Sequence, residues 1–159
     1  MVISLLVLLI PLALIVGLFR LRGGEDPVVV DPSGAIAEAR AAGAFPVGAP
    51  TGLTGEWRAV SALFRREADG AVLRVGYVTP NGGAVQLIES NQPAEALLRR
   101  ELGDHTRPIG TVEVRGRQWQ SHEVRGDERA LVLTGADRTL IVIGRAELDE
   151  LRQLAAAVS

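Results

Sequence analysis

The sequence predicts an α+β protein: an N-terminal transmembrane helix, then an antiparallel β-sheet with two or three helices packed on it. Three observations predict this. Met1 to Phe19 is an apolar run without a charged side chain, its one polar residue Ser4. From Trp57 onward apolar residues recur with a period of two, in short segments cut by Gly, Asp and Asn turns. Two later segments, Pro93 to Leu102 and Ala146 to Val158, switch to the helical period with one apolar face.

The first segment is read as a retained anchor over residues 1–22. A helix rises about 1.5 Å per residue, so Met1 to Phe19 spans roughly 28 Å, close to a hydrocarbon core of about 30 Å. A cleaved signal has a basic flank before its apolar core and a small-residue site after it. Here Phe19-Arg20-Leu21-Arg22 closes the run, with no such site, and the chain holds no cysteine to carry a lipid. Pro11 and Gly17 are tolerated in a spanning helix, where neighbours re-satisfy the freed backbone groups. By charge alone, Arg20 and Arg22 pull the C-terminal side towards the cytoplasm. A family resemblance carried by the later motifs implies the opposite side, and the domain is expected outside the cytoplasm.

Composition narrows the function classes open to the domain. The chain has 159 residues, with 17 basic against 19 acidic side chains and a formal charge of −2. Every basic residue is Arg, and none clusters into the basic excess that nucleic-acid binding requires. With no Cys, disulfides, thiol catalysis and Cys-ligated zinc are all excluded.

Residues 23–32 (GGEDPVVVDP) form a linker, punctuated by Gly and Pro, and residues 33–159 form the extracytoplasmic domain. Asp31 is placed to cap a helix that begins at Pro32, runs through Ile36, Ala39 and Ala42, and stops at Gly43. Phe45 to Leu53 is an extended, turn-rich lead-in. Trp57 to Phe64 alternates as a strand, and Asp69-Gly70 marks a hairpin. Ala71 to Thr79 is the next strand, Pro80-Asn81-Gly82-Gly83 the next turn, and Ala84 to Glu89 the return strand. Ser90 to Pro93 opens a helix whose Leu97, Leu98 and Leu102 face inward, ending at Gly103.

Ile109 to Val114, Gln118 to Val124, Arg129 to Thr134 and Thr139 to Ile143 continue the sheet, and the last, the most apolar, is expected at its centre. The closing helix buries Leu148, Leu151, Leu154, Ala155 and Val158. The two halves parallel one another: strands, a turn, a strand, then an amphipathic helix, each opened by a Trp-bearing segment. If this is a true repeat, the two helices cover one face of the sheet in pseudo-twofold fashion.

Residues able to do chemistry are sparse, and no catalytic, cofactor-binding or metal-ligating residue is assigned. Asp104 and His105 sit in a loop after a helix, and His122 lies on a strand between Ser121 and Glu123. Strand neighbours point to opposite faces, so Ser121 and His122 form no local nucleophile–base pair. A solvated loop His and a half-exposed strand His are the expected states. There is no His-Glu-x-x-His pattern and no calcium-loop spacing. Pro80 to Gly83 leads into a strand rather than a helix, so it reads as a hairpin turn and not a phosphate loop. Trp57 and Trp119 are candidate recognition anchors but fit core packing better. Arg65-Arg66 and Arg99-Arg100 read as solvated faces.

Several short motifs in order carry a resemblance. They are the N-terminal anchor, Ala49-Pro50-Thr51-Gly52-Leu53 with Gly55-Glu56-Trp57, Val75-Gly76-Tyr77-Val78-Thr79-Pro80, Gly116-Arg117-Gln118-Trp119, and the Ala146-Glu147-Leu148-Asp149-Glu150-Leu151 helix. Together they resemble an actinobacterial family of single-pass membrane proteins classed as a domain of unknown function. The likeness runs over nearly the whole chain. It implies a tethered domain outside the cytoplasm and supplies no functional residue. The expected function is therefore a membrane-anchored, non-catalytic domain that binds an envelope component or a membrane partner, held in the bilayer by residues 1–19. The alternative is an envelope-associated enzyme using Asp104 and His105, or His122, as general acid and base.

Overall fold

Trp57, Ala59 and Phe64 all turn to the same core, although strict alternation would send Phe64 to the other face. A bulge between Ala59 and Ser61 corrects the phase. This is the first strand, β1 (Arg58–Glu67), of a seven-stranded antiparallel sheet. The computed structural model describes residues 28–104 and 106–158. The predicted anchor, the first half of the predicted linker and His105 lie outside the described residues. Among the described residues no helix is long and apolar enough to cross a membrane.

The other strands are β2 (Gly70–Val78), β3 (Ala84–Ser90), β4 (Pro108–Val114), β5 (Arg117–Glu123), β6 (Arg129–Thr134) and β7 (Thr139–Arg145). Their spatial order is β1-β2-β3-β7-β6-β5-β4. Three helices complete the described body: α1 (Ser33–Ala42), α2 (Ala94–Leu102) and α3 (Leu148–Val158). Each lies within a few residues of its predicted span.

The caps show why. The helix starts one residue later than predicted, with Pro32 at its N-cap position and no side-chain cap there. Asp31 Oδ1 accepts from the Ser33 N–H at 2.9 Å just ahead of it, and Gly43 closes α1 in the left-handed region at φ 62°. Arg115 (φ 49°) and Gly116 (φ 75°) give the β4–β5 hairpin the doubly left-handed turn that matches strand twist.

β7 sits in the middle of the sheet, paired with β3 on one side and β6 on the other, as its composition predicted. Its side chains alternate between two cores. Leu140 and Val142 join Leu87, Trp119, Leu131, Leu151 and Leu154 on the larger face, under α1 and α3. Ile141 joins Val72, Ile88, Ala130 and Val132 on the smaller face, under Leu97 and Leu102 of α2. A strand covered on both faces has no polar side to show, hence the unbroken Leu-Ile-Val-Ile run.

The predicted arrangement of helices needs correction. Apart from the extra edge strand β4, the order β1-β2-β3 mirrors β5-β6-β7 across the β3–β7 junction, as a repeat would give. A twofold axis through the sheet would keep α2 and α3 on one face, yet they pack on opposite faces. The larger face beside β1 and β2 is already taken by Ile36, Ala39 and Phe45 of the preceding segment. α2 therefore crosses to the other face, and α1 is the helix that shares a face with α3.

Candidate functional site

A hollow lined by large apolar side chains lies where the chain enters the domain. Val29 and Val30 form one wall, Leu53 another, and Trp57, Ala59 and Tyr77 the floor; its volume is about 600 Å³. Ala59 and Tyr77 are cross-strand partners on β1 and β2. The Trp57 and Tyr77 rings meet edge to face, 6.2 Å apart at 76°, the arrangement their quadrupoles favour. Burial pushes the Tyr77 hydroxyl up to about 12, with the Glu89 charge adding to it, so it stays a neutral phenol.

The lead-in chain is fixed beside this hollow. The Val30 N–H donates to the Ala59 carbonyl at 2.8 Å. Both Asp31 carboxylate oxygens are turned onto Ser33, one to its N–H and one to its hydroxyl, which holds that carboxyl below its usual range. Val29 at the rim is 61% exposed, and Val28 before it 82%.

A second polar centre is internal. Glu89 on β3 has no exposed surface; its Oε2 accepts from Arg138 Nη1 at 2.7 Å and from the Gly48 N–H at 3.0 Å, while Oε1 has no partner. Arg138, on the β6–β7 turn, also donates to the Pro46 carbonyl. Burial raises the Glu89 carboxyl above its ordinary value, against the Gly48 N–H and the Arg138 charge. The sequence carried a signal for it. Val85, Leu87 and Glu89 share one face of β3, and a carboxylate at the third place needs a partner.

Two further carboxylates are committed to structure. Glu101 on α2 makes a bidentate pair with Arg74 of β2, at 2.6 and 2.8 Å, and receives Arg100 as well. Burial alone would raise its pKa; the Arg74 and Arg100 contacts win and lower it. Glu150 is buried at the start of α3. One of its oxygens accepts from the Glu147 N–H at 3.3 Å, the return half of a capping box, and the other from the Asn81 N–H at 3.2 Å in the β2–β3 turn. Pro80 to Gly83 is thus the hairpin turn the sequence predicted, stapled to α3.

The described candidates for chemistry, Asp104 and His122, sit in different settings, one exposed and one buried. Asp104 is exposed in the loop after α2. His122 is buried rather than half exposed, across from Ala130 on β6 and Pro108 on β4, and neither ring nitrogen has a partner. Burial lowers its pKa. Its strand is interior to the sheet, and the smaller core closes over that face; sequence alternation alone gave no sign of the cover.

Trp57 and Trp119 are both core residues, as expected, Trp119 with no exposed surface and an unpartnered Nε1. The Arg pairs are exposed but not idle. Arg66 donates to the Ala42 carbonyl at 3.3 Å, and Arg100 bonds Glu67, Glu101 and Gln92, tying α2 to the β1–β2 hairpin. Among the described residues no three His, Asp or Glu side chains gather into a metal-holding group.

The chain belongs to the family described as protein of unknown function DUF4245, whose model matches residues 1–158. The resemblance to a domain of unknown function is therefore shown across the chain; a membrane or actinobacterial character for the family rests on the sequence reading alone. No curated protein matches the chain.

Proposed function

We propose that this member of the family is a membrane-anchored, non-catalytic domain, held outside the cytoplasm, that binds an envelope component or a membrane partner. The apolar run from Met1 to Phe19 supports the anchoring. The observation that carries the non-catalytic reading is how the buried ionisable groups are used. Glu89 locks Arg138 and the lead-in loop, Glu101 locks Arg74, Glu150 caps α3, and His122 is sealed away from solvent. General acid–base work needs two such groups converging within reach of one substrate. The open apolar hollow beside the chain's entry is the surface that fits a binding role.

The test is a C-terminal fusion of the full chain to alkaline phosphatase, which is active only outside the cytoplasm. High phosphatase activity in the membrane fraction is expected. A membrane-bound but inactive fusion, with activity recovered from a cytoplasmic reporter at the same site, would place the domain inside and overturn the compartment.

A further inference from the structure

We propose that the hollow floored by Trp57 and Tyr77 is a lipid-facing seat, by which the domain rests on the interfacial region of the bilayer that anchors it. The seat rests on the anchoring proposed for Met1 to Phe19 and names the partner of one surface.

Reach is the first argument. The Val30 N–H is bonded to Ala59, so the chain is fixed to the β1 edge up to the hollow's own wall. Only residues 20–29 separate that point from the apolar run. Fully extended, ten residues cover no more than about 35 Å. The hollow therefore stays close to the bilayer, at a high effective concentration, and a weak contact suffices to seat it.

Chemistry is the second. Val28 and Val29 are two of the four large apolar residues exposed on the described surface; Val29 lines this hollow, and Val28 precedes it in the chain. Trp57 and Tyr77, 8% and 6% exposed, line the hollow as its buried backing, and the exposed apolar side chain among its lining residues is Val29. The rim carboxylate, Asp31, has both oxygens on Ser33 and stays ionised, so it disfavours anionic lipid at the seat. The contact is apolar, so zwitterionic lipid is enough.

The chain has two Trp residues, neither of them in the anchor, and they give the test its readout. Full-length protein is placed in phosphatidylcholine vesicles with plain or dibrominated acyl chains, bromine quenching indole fluorescence on contact. With Trp119→Phe, leaving Trp57 alone, emission is expected to fall in brominated relative to plain lipid, because Trp57 lines the seated hollow. With Trp57→Phe, the buried Trp119 is expected to be unaffected.

Val28→Asp with Val29→Asp is expected to restore Trp57 emission without releasing the chain. If Trp119→Phe fails to fold, the unaltered protein gives the same reading with Trp119 as a constant background. Equal Trp57 emission in both lipids, while the chain stays with carbonate-washed vesicles, overturns the seat. Loss of the chain from washed vesicles overturns the anchoring reading instead, and the seat with it.

Discussion

Glu89 and Arg138 meet across the sheet's larger face, Nη1 to Oε2 at 2.7 Å, with the carboxylate wholly inside the protein. They stand 49 residues apart in the chain, and through the Pro46 carbonyl and the Gly48 N–H they fix the lead-in segment over the strands. Arg138→Ala leaves that carboxylate buried and unpaired, a loss of about 3–5 kcal/mol. The double change Glu89→Leu with Arg138→Met is expected to cost far less than Arg138→Ala alone. Urea unfolding of the full chain in detergent micelles measures both; equal losses would mean the pair's charge is irrelevant.

The same carboxyl sets a pH dependence. Its folded pKa is raised by burial above the ordinary 4.5, so the folded state holds the proton more tightly than the unfolded one. That contribution is complete below 4.5 and fades as pH rises through the folded value. Glu89→Gln keeps an acceptor for the Gly48 N–H and does not titrate. Its stability relative to the unaltered protein is expected to improve steadily as pH rises from 4.5. A flat difference across that window would show that Glu89 does not titrate there.

His122 works in the opposite sense. Burial depresses its folded pKa below 6.5. Its contribution is present above 6.5 and is lost as pH falls through the folded value, because the unfolded state takes up the proton first. His122→Leu removes two unpartnered buried nitrogens, each worth about 1–3 kcal/mol of desolvation, and removes the titration. The variant is expected to match or exceed the parent at neutral pH and to lose less midpoint on acidification. A parallel acid-side loss in both proteins would assign that loss to other groups.

Glu150 joins two elements that are distant in sequence. Glu150→Ala removes the acceptor for the Glu147 and Asn81 N–H groups together and is expected to cost about 1–2 kcal/mol, as for lost helix caps. Glu150→Gln keeps the acceptor and should cost less. Amide hydrogen exchange gives the local check: Asn81 and Glu147 are expected to exchange faster in the Ala variant. Exchange confined to one of them would show that the staple is not shared.

These residues also mark what the sequence made legible. The period-two runs and Gly-Asp-Asn turns placed every described strand, and the double-sided apolarity of Thr139 to Ile143 placed β7 at the centre, because local patterning records burial. The phase slip at Val60 was not legible, since a bulge leaves no composition mark in Arg58-Ala-Val-Ser-Ala-Leu. Nor was the face α2 would choose, which depends on α1 and Phe45 occupying the other one. Glu89 was readable as a carboxylate in an apolar register, but its partner Arg138 lies in a turn where any polar residue is ordinary. The hollow joins three separated segments and exists only in the fold.

Gly144 sits at the tightest of the described glycine positions. A Cβ built there would overlap the Ala84 carbonyl oxygen and lie 2.7 Å from the Val85 Cα, both backbone atoms of the neighbouring β3. Backbone in the middle of a sheet cannot swing aside as a side chain does, so Gly144→Ala must separate β3 from β7. Those strands carry both cores, and the loss is expected to be about 3 kcal/mol or more. Gly76 is a contrasting case on β2: its added Cβ would press on the Ser61 hydroxyl, a group that can rotate. Gly76→Ala is expected to cost less, and Ser61→Ala to recover most of it. Gly110, on β4, has nothing near its Cβ position, so Gly110→Ala should be neutral or slightly stabilising through the unfolded chain. Thermal midpoints of the three variants in one detergent are expected in the order Gly110→Ala, Gly76→Ala, Gly144→Ala, highest first. A Gly144→Ala protein as stable as its parent would mean that the β3–β7 junction can open without loss of the cores.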